Sequence, residues 1–150
     1  MPHEPHYKQP DWFTRNIMNR SVATVTRLGI SVFGSRILRV RGRSTGVWRE
    51  TPVNLLTIEG CRYLLAPRGE TQWVRNLRAA GGGELRVGRR VEPFRAEEVA
   101  AADKNPILRA YLKRWRWEVG AFFGGVRADS PDEAVTAQAR HHPIFRVLTA

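Results

Sequence analysis

The sequence predicts a mainly β (α+β) fold, a small antiparallel barrel with helices packed outside. Short β-type runs separated by turn residues fill the centre of the chain, and most of them are joined as hairpins rather than βαβ crossovers. The length of 150 residues suits a single domain, 1–150, with one core. Hydrophobic residues make up 42% of the chain, which is too many for a disordered protein.

The first predicted element is an amphipathic helix at 11–28, preceded by a loose arm at 1–10 that is rich in proline. Apolar residues recur at helical spacing along this helix, and arginines occupy its other face. A helix of this kind packs on its own domain or contacts a membrane surface or a partner.

The middle of the chain is predicted to contain strands at 36–41, 47–58, 61–66, 84–87 and 91–98. Pro52 marks an edge or a bulge in the second strand. A helix is predicted at 71–80, because Pro67-Arg68-Gly69 ends the preceding strand and three glycines follow from Gly81. Two further helices at 104–123 and 129–140 and a last strand at 144–148 complete the pattern.

The charge of the chain favours an anionic partner. Lys and Arg total 25 against 14 Asp and Glu, which gives a formal net charge of +11. Nucleic acid, a membrane surface and a phosphorylated cofactor all fit this charge. The single cysteine excludes an intrachain disulfide, and the N-terminus lacks the order of a signal peptide. We therefore expect a cytoplasmic protein, with peripheral membrane contact through 11–28 as an alternative.

Several common catalytic motifs are missing. The four histidines do not have zinc-site spacing, so no metal is expected. The sequence contains neither a P-loop nor a G-x-S-x-G elbow. His141 and His142 are predicted to be ordinary surface residues before the last strand.

The first informative segment is the turn after the first strand, at 42–49. Its glycines expose backbone N–H groups, and Ser44 and Thr45 add hydroxyl groups. Arg43 and Arg49 supply planar guanidinium groups suited to phosphate or carboxylate oxygens. An ordinary basic hairpin turn would have a similar sequence, so the turn alone leaves both interpretations open.

The second informative segment is a Pro-Arg-Gly loop directly before the predicted helix at 71–80. The free N–H groups at a helix start can bind an anion or contact a planar ring. Trp73 and Asn76 lie three residues apart and so share one face of that helix. The structural alternatives are a core anchor for Trp73 and a helix-surface residue for Asn76.

Together these motifs identify a resemblance. The order G-R-x-[ST]-G-x-x-R-x-T-P-[LV], a hairpin, then A-x-[KR]-G followed by W-x-x-N-L resembles the deazaflavin-dependent nitroreductase family. Members of that family are split β-barrel proteins that bind coenzyme F420. The resemblance covers roughly 36–98.

The resemblance implies roles for individual residues. The turn and its following arginine would hold the phosphate and acidic tail of F420: Arg43, Ser44, Thr45, Gly46 and Arg49. The next loop would pass close to the deazaflavin ring: Ala66, Pro67, Arg68 and Gly69. Trp73 and Asn76 would complete that pocket. Ser44 stands where the family usually has lysine, and FMN is the alternative cofactor.

The predicted function is that of an F420-dependent oxidoreductase. It would transfer a hydride from reduced deazaflavin to an electron-poor small molecule: an enone, a quinone or a nitro compound. Tyr111 is the candidate proton donor. The candidate acceptor pocket consists of Trp115, Trp117, Phe122 and Phe123.

Two other classes of function remain open at this point. One is a non-catalytic flavin, deazaflavin or haem carrier on the same fold. The other is a nucleic-acid-binding protein, because Lys113-Arg114-Trp115-Arg116-Trp117 interleaves basic and aromatic residues. A homodimer is expected only by analogy with other split barrels.

Overall fold

Six strands in the described part of the chain close into an antiparallel barrel, which confirms the predicted fold class. Around the barrel the strands follow the order β1-β2-β3-β6-β5-β4, and β4 pairs with β1 to close it. Their bounds are β1 Ser35–Arg41, β2 Trp48–Ile58, β3 Cys61–Leu65, β4 Gly82–Val87, β5 Arg90–Glu98 and β6 Ile144–Thr149.

The computed structural model describes residues 35–119 and 122–150, and for 116–119 it describes the backbone alone. The predicted arm at 1–10 and the predicted helix at 11–28 lie outside the described residues. Within those residues the predicted strands agree with the observed ones to within about two residues, as expected for boundaries assigned from sequence patterns.

The described residues form three α-helices: α1 Gln72–Ala80, α2 Lys104–Val119 and α3 Asp132–Ala139. Helix α1 ends as predicted, because Gly81 adopts the left-handed conformation with φ +74° and its N–H bonds to the Leu77 carbonyl. Helix α2 stops before the predicted end at 123. A turn containing Gly124 and Gly125 follows it, and both glycines have positive φ angles that a right-handed helix cannot accommodate.

Pro52 lies in a part of β2 that serves locally as an edge. The pairing of β2 with β3 spans only Leu55–Ile58, whereas Pro52 pairs with Ile37 on β1. The missing N–H of Pro52 therefore removes no bond to β3, which agrees with the predicted edge position.

Alternate residues of the strands point into the barrel and form an apolar inner core. Leu38 and Leu64 are fully buried there, and Phe145 enters from β6. Helix α1 packs over one end of the barrel, where Val74 and Leu77 join the same core. The β1–β2 turn contacts α1, and the loop after β3 leads directly into it. Both therefore lie at the same end of the barrel as this helix.

A second apolar core lies between the barrel wall and helices α2 and α3. Leu65 and Ile144 point outward, opposite in direction to their inward-facing neighbours, because side chains alternate along a strand. Residues of α2, α3 and the turn between them pack on this outer face: Leu108, Tyr111, Leu112, Trp115, Phe122, Phe123 and Val135. We call this cluster the outer core.

The barrel end away from α1 carries an ion pair between β3 and β5. Arg62 donates to both carboxylate oxygens of Glu92, at 2.7 and 2.6 Å. These hydrogen bonds hold the pKa of Glu92 below its ordinary value of 4.5, against the opposing effect of partial burial. Nearby, burial is the main cause that lowers the pKa of Arg36, followed by the charge of Arg62.

This ion pair predicts a specific acid dependence of stability. Because the folded pKa of Glu92 is lowered, its contribution is present above pH 4.5 and is lost as the pH falls through the folded pKa. Glu92→Gln should therefore reduce the loss of unfolding free energy that occurs on acidification. The reduction should be at most about 1 kcal/mol, because the ion pair is partly exposed. Urea unfolding at several pH values measures this, with Glu97→Gln on the same strand as control. An unchanged acid slope in Glu92→Gln would contradict the prediction.

Candidate functional site

The turn between β1 and β2 is closed by its own hydrogen bonds. Gly42 N–H donates to Val47 O at 2.8 Å, and Gly46 N–H donates to Gly42 O at 2.8 Å. A Cβ on Gly42 would lie 2.9 Å from Thr45 Oγ1, so a side chain there would require the Thr45 side chain to move. Among the described residues, the N–H groups of Ser44 and Thr45 have no hydrogen-bond partner. These two groups are available to an anion.

Helix α1 holds this turn in place through Asn76. The Oδ1 atom of Asn76 accepts from the backbone N–H of Arg43 at 3.1 Å and from its Nη1 at 2.8 Å. Nη1 of Arg43 also donates to Gln72 Oε1 at 3.0 Å. Asn76 is only 6% exposed, so it is a buried anchor of the turn rather than a helix-surface residue. The two sequence motifs therefore meet at one place.

These contacts change the interpretation of the two arginines of the turn. Nη1 of Arg43 is already bonded within the chain, so this guanidinium is not wholly available to an external phosphate. Arg49 is exposed, and its Nε lies 3.8 Å from the position of a Cβ on Gly42. In the part of the chain that the structure describes, Arg49 makes no ion pair. Arg49 is thus the better placed of the two to bind an anion directly.

Two further arginines of β1, Arg39 and Arg41, contact Trp48 next to the turn. The Arg39 and Arg41 guanidinium carbons lie 4.9 and 4.7 Å from the ring centroid of Trp48, and Nη1 of Arg41 donates to Gly46 O. Arg39 is partly neutralised by Glu50 and Glu84. The turn therefore lies in a positive environment, as an anionic ligand requires.

The loop after β3 is held by backbone hydrogen bonds on both sides. Ala66 is fully buried, and its N–H donates to Pro143 O at 2.9 Å. Gly69, with φ +84°, donates to Ala66 O at 3.2 Å and accepts from Thr71 N–H at 2.8 Å. Pro67 and Arg68 are half-buried.

A buried polar atom lies where this loop meets helix α1. Thr71 precedes the helix, but its hydroxyl makes no capping bond. Its Oγ1 is buried and lacks a hydrogen-bond partner among the described residues. An unsatisfied buried hydroxyl is costly, so it is a candidate contact for a polar atom of a ligand.

Trp73 and Asn76 share α1 but contact different parts of the molecule. The Trp73 ring lies 6.2 Å from the Phe145 ring and packs against the inner core, while part of it stays accessible. Asn76 contacts the turn. Trp73 is therefore at least partly the core anchor that the sequence offered as the alternative.

Three of the four aromatic residues predicted to form an acceptor pocket lie in the outer core instead. Trp115 is 1% exposed, and Phe122 and Phe123 are buried with it. Tyr111 is 1% exposed, with its ring 4.9 Å from that of Trp115 and 6.0 Å from that of Phe123. A proton donor or a pocket wall must reach the ligand, and these side chains pack between helices and sheet. The burial of Tyr111, Trp115, Phe122 and Phe123 therefore argues for core packing and against both assignments.

The same burial bears on the nucleic-acid alternative. Trp115 cannot stack on a base, because it is buried and Arg114 lies over its ring at 5.0 Å. The side chain of Trp117, the remaining predicted pocket residue, lies outside the described residues. The basic and aromatic segment thus loses its central stacking residue.

Sequence reasoning missed one residue near the loop. The sequence predicts His142 at the surface, yet it is 0% exposed. Its Nδ1 lies 3.0 Å from the Ala66 carbonyl oxygen, and its ring centroid lies 4.3 Å from that of Phe123. The only hint in the sequence is its position directly before an apolar strand, which does not distinguish a buried histidine from an exposed one.

No group of metal-binding side chains occurs among residues 35–119 and 122–150. Over the same residues, no helix is long and apolar enough to cross a membrane.

Comparison with known families identifies the family of the chain. The family model for F420H(2)-dependent quinone reductase matches residues 12–118. The chain belongs to the F420H2-dependent quinone reductase family. This match covers both motifs, and it confirms the resemblance to F420-dependent proteins that those motifs indicated. No curated protein matches the sequence.

Solved structures similar to this member of the F420H2-dependent quinone reductase family confirm the split-barrel fold. One, described as a domain-swapped dimer, has a TM-score of 0.55 at 16% identity and covers 93% of this chain and 99% of its own. Another, an F420-H2-dependent reductase (FDR-A), has a TM-score of 0.53 at 16% identity, with 76% and 93% covered. A FAD-binding protein from Mesorhizobium loti has a TM-score of 0.51 at 14% identity, with 85% and 88% covered.

The residues at the turn and loop fit the cofactor that defines the F420H2-dependent quinone reductase family. The resemblance assigns this cofactor a phosphate and an acidic tail. Two unpaired N–H groups and the exposed Arg49 can bind such groups, while the buried Thr71 hydroxyl can meet a polar atom of a ring. The donor set is cationic and neutral, without a carboxylate on the turn itself.

Proposed function

We propose that the protein is a reductase that binds reduced F420 at the β1–β2 turn and the Ala66–Gly69 loop and passes a hydride to a quinone. Enones and nitro compounds are the other acceptors to be tested. The observation that supports the proposal is the anchoring of the β1–β2 turn, with its free N–H groups, to α1 through Asn76. Family membership supports the choice of cofactor.

In this proposal the chain binds and orients, and it leaves the redox chemistry to its cofactor. Reduced F420, when bound, supplies the hydride. The N–H groups of Ser44 and Thr45 and the guanidinium of Arg49 bind its anionic groups. The Ala66–Gly69 loop and the accessible part of Trp73 orient the ring. Since Tyr111 is buried in the outer core, solvent water is the proposed source of the proton that the reduced acceptor needs.

The test is an anaerobic turnover assay. Purified protein is mixed with reduced F420 and, separately, a naphthoquinone, a cyclic enone and a nitroaromatic, while the absorbance of oxidised deazaflavin is followed. We expect the fastest reoxidation with the quinone. Binding of F420 without reoxidation by any acceptor would replace the proposal with the carrier alternative. Binding of FMN in preference to F420 would mean that FMN, not F420, is the cofactor.

Arg49 provides a first variant for the binding part of the proposal. Arg49→Ala should weaken F420 binding about tenfold, because it removes a charge-assisted contact of about 1.4 kcal/mol from a partly exposed site. Fluorescence titration at low and high salt measures the affinity, and the difference between wild type and variant should shrink at high salt.

The matched control is Arg89→Ala. Arg89 is an exposed arginine in the turn between β4 and β5, at the end of the barrel opposite the β1–β2 turn. Arg89→Ala lowers the net charge by the same amount as Arg49→Ala, but away from the turn. The F420 affinity should therefore stay within about twofold of wild type. Equal losses in the two variants would mean that net charge alone attracts the cofactor, and the turn would lose its assigned role.

A homodimer and contact with a membrane surface through 11–28 stay predictions. The structural neighbour described as a domain-swapped dimer supports testing the first by light scattering of the purified protein.

A further inference from the structure

A fully buried histidine connects the C-terminal part of the chain to the Ala66–Gly69 loop. His142 lies after α3, 76 residues from Ala66, and its Nδ1 is 3.0 Å from the Ala66 carbonyl oxygen. Its other ring nitrogen, Nε2, is 2.9 Å from Nε2 of Gln138, one turn earlier in the chain.

The partners of the ring determine where its proton lies. A carbonyl oxygen only accepts, so Nδ1 of His142 must carry the hydrogen and donate it to Ala66. An amide nitrogen only donates, so Nε2 of His142 accepts from Gln138. Both contacts match the neutral ring with hydrogen on Nδ1.

The carbonyl that His142 binds is also the acceptor that shapes the loop. Gly69 N–H donates to the same Ala66 oxygen at 3.2 Å, which closes the loop. The backbone of His142 is itself anchored by a buried lysine. Lys104 Nζ donates to the His142 carbonyl oxygen at 3.1 Å and to the Ala139 carbonyl oxygen at 3.3 Å. Burial is the main cause that lowers the pKa of Lys104. The direction of the Ala66 carbonyl is thus fixed from a different part of the fold.

We propose that His142 is a positioning residue, which orients the Ala66 carbonyl and thereby sets the conformation of the Ala66–Gly69 loop for cofactor binding. The proposal rests on the proposed function, in which this loop faces the ring of F420. His142 does not contact the cofactor in this account. It acts through the backbone of the loop.

Two substitutions of the same residue separate this role from packing. In His142→Asn, the amide nitrogen occupies nearly the position of Nδ1 and can still donate to Ala66 O. In His142→Gln, the amide group reaches instead toward the position of Nε2 and the donor to Ala66 is lost. Both variants lose the ring and its contact with Phe123, so both should be destabilised. The affinity for F420 should fall about tenfold in His142→Gln but stay within about threefold of wild type in His142→Asn.

A second measurement needs no cofactor. In ¹⁵N NMR spectra of the wild-type protein, His142 should show the neutral form with hydrogen on Nδ1. The Gly69 amide resonance should keep its position in His142→Asn and shift in His142→Gln. A wild-type ring with hydrogen on Nε2 would overturn the proposal even if neither variant folds.

The two measurements also separate this proposal from the proposed function. Equal affinity losses in both variants, or an unmoved Gly69 resonance in His142→Gln, would overturn the positioning role. If wild-type protein bound no F420 while the Gly69 resonance responded as expected, the proposed function would fail and the control of the loop by His142 would be supported.

Discussion

Trp115→Ala should lower the free energy of unfolding by about 3–5 kcal/mol, because it removes a large buried side chain from the outer core. Trp115 is 1% exposed in the outer core, with its ring 4.9 Å from that of Tyr111. Its removal leaves a cavity that close-packed neighbours fill only in part, so both apolar transfer and packing energy are lost. Urea unfolding followed by circular dichroism measures the change.

The control for this variant is Lys113→Ala, two residues earlier on the exposed side of α2. It should change the free energy of unfolding by less than about 0.5 kcal/mol. Trp115→Phe, which keeps most of the ring volume, should fall between the two. If Trp115→Ala instead abolished turnover while stability stayed at the wild-type level, the residue would belong to an acceptor pocket after all.

Asn76→Leu should weaken F420 binding about thirtyfold, equivalent to about 2 kcal/mol. The change removes the acceptor of two hydrogen bonds from Arg43, and it leaves the backbone N–H of Arg43 facing an apolar side chain. The turn would then lose its attachment to α1, and the N–H groups of Ser44 and Thr45 would no longer be held beside Arg49. Fluorescence titration with F420 measures the affinity.

Asn105→Leu is the matched control. Asn105 also lies on a helix and accepts a hydrogen bond from an arginine, Arg109 Nε, through Oδ1 at 3.0 Å. It lies on α2, away from the turn, so its replacement should affect stability but leave F420 affinity unchanged. Arg43→Ala keeps the backbone bond to Asn76, and we expect a loss between that of Asn105→Leu and that of Asn76→Leu. A normal affinity in folded Asn76→Leu would remove the turn from the site.

The barrel and the family could be predicted from the sequence, because both depend on residue patterns within short segments of the chain. Alternating apolar residues predict strands, and tight glycine turns predict the hairpins that join them. Pro52 is predicted at an edge because proline has no N–H group to donate to a neighbouring strand, and the strand register confirms that position. Each of the two motifs that carry the resemblance is also contiguous in the sequence, so Arg49 and Gly69 could be proposed as site residues without knowing the fold.

Only the tertiary structure showed which of the candidate residues pack in the core. Helical spacing shows that Tyr111 and Trp115 share an apolar face, but it does not show whether that face meets a ligand or a sheet. The bond between Arg43 and Asn76 joins residues 33 apart, and the bond between His142 and Ala66 joins residues 76 apart. Such partners are brought together by closure of the barrel and docking of the helices. A hydrogen bond depends on distance and direction in space, and local sequence patterns encode neither for residues so far apart.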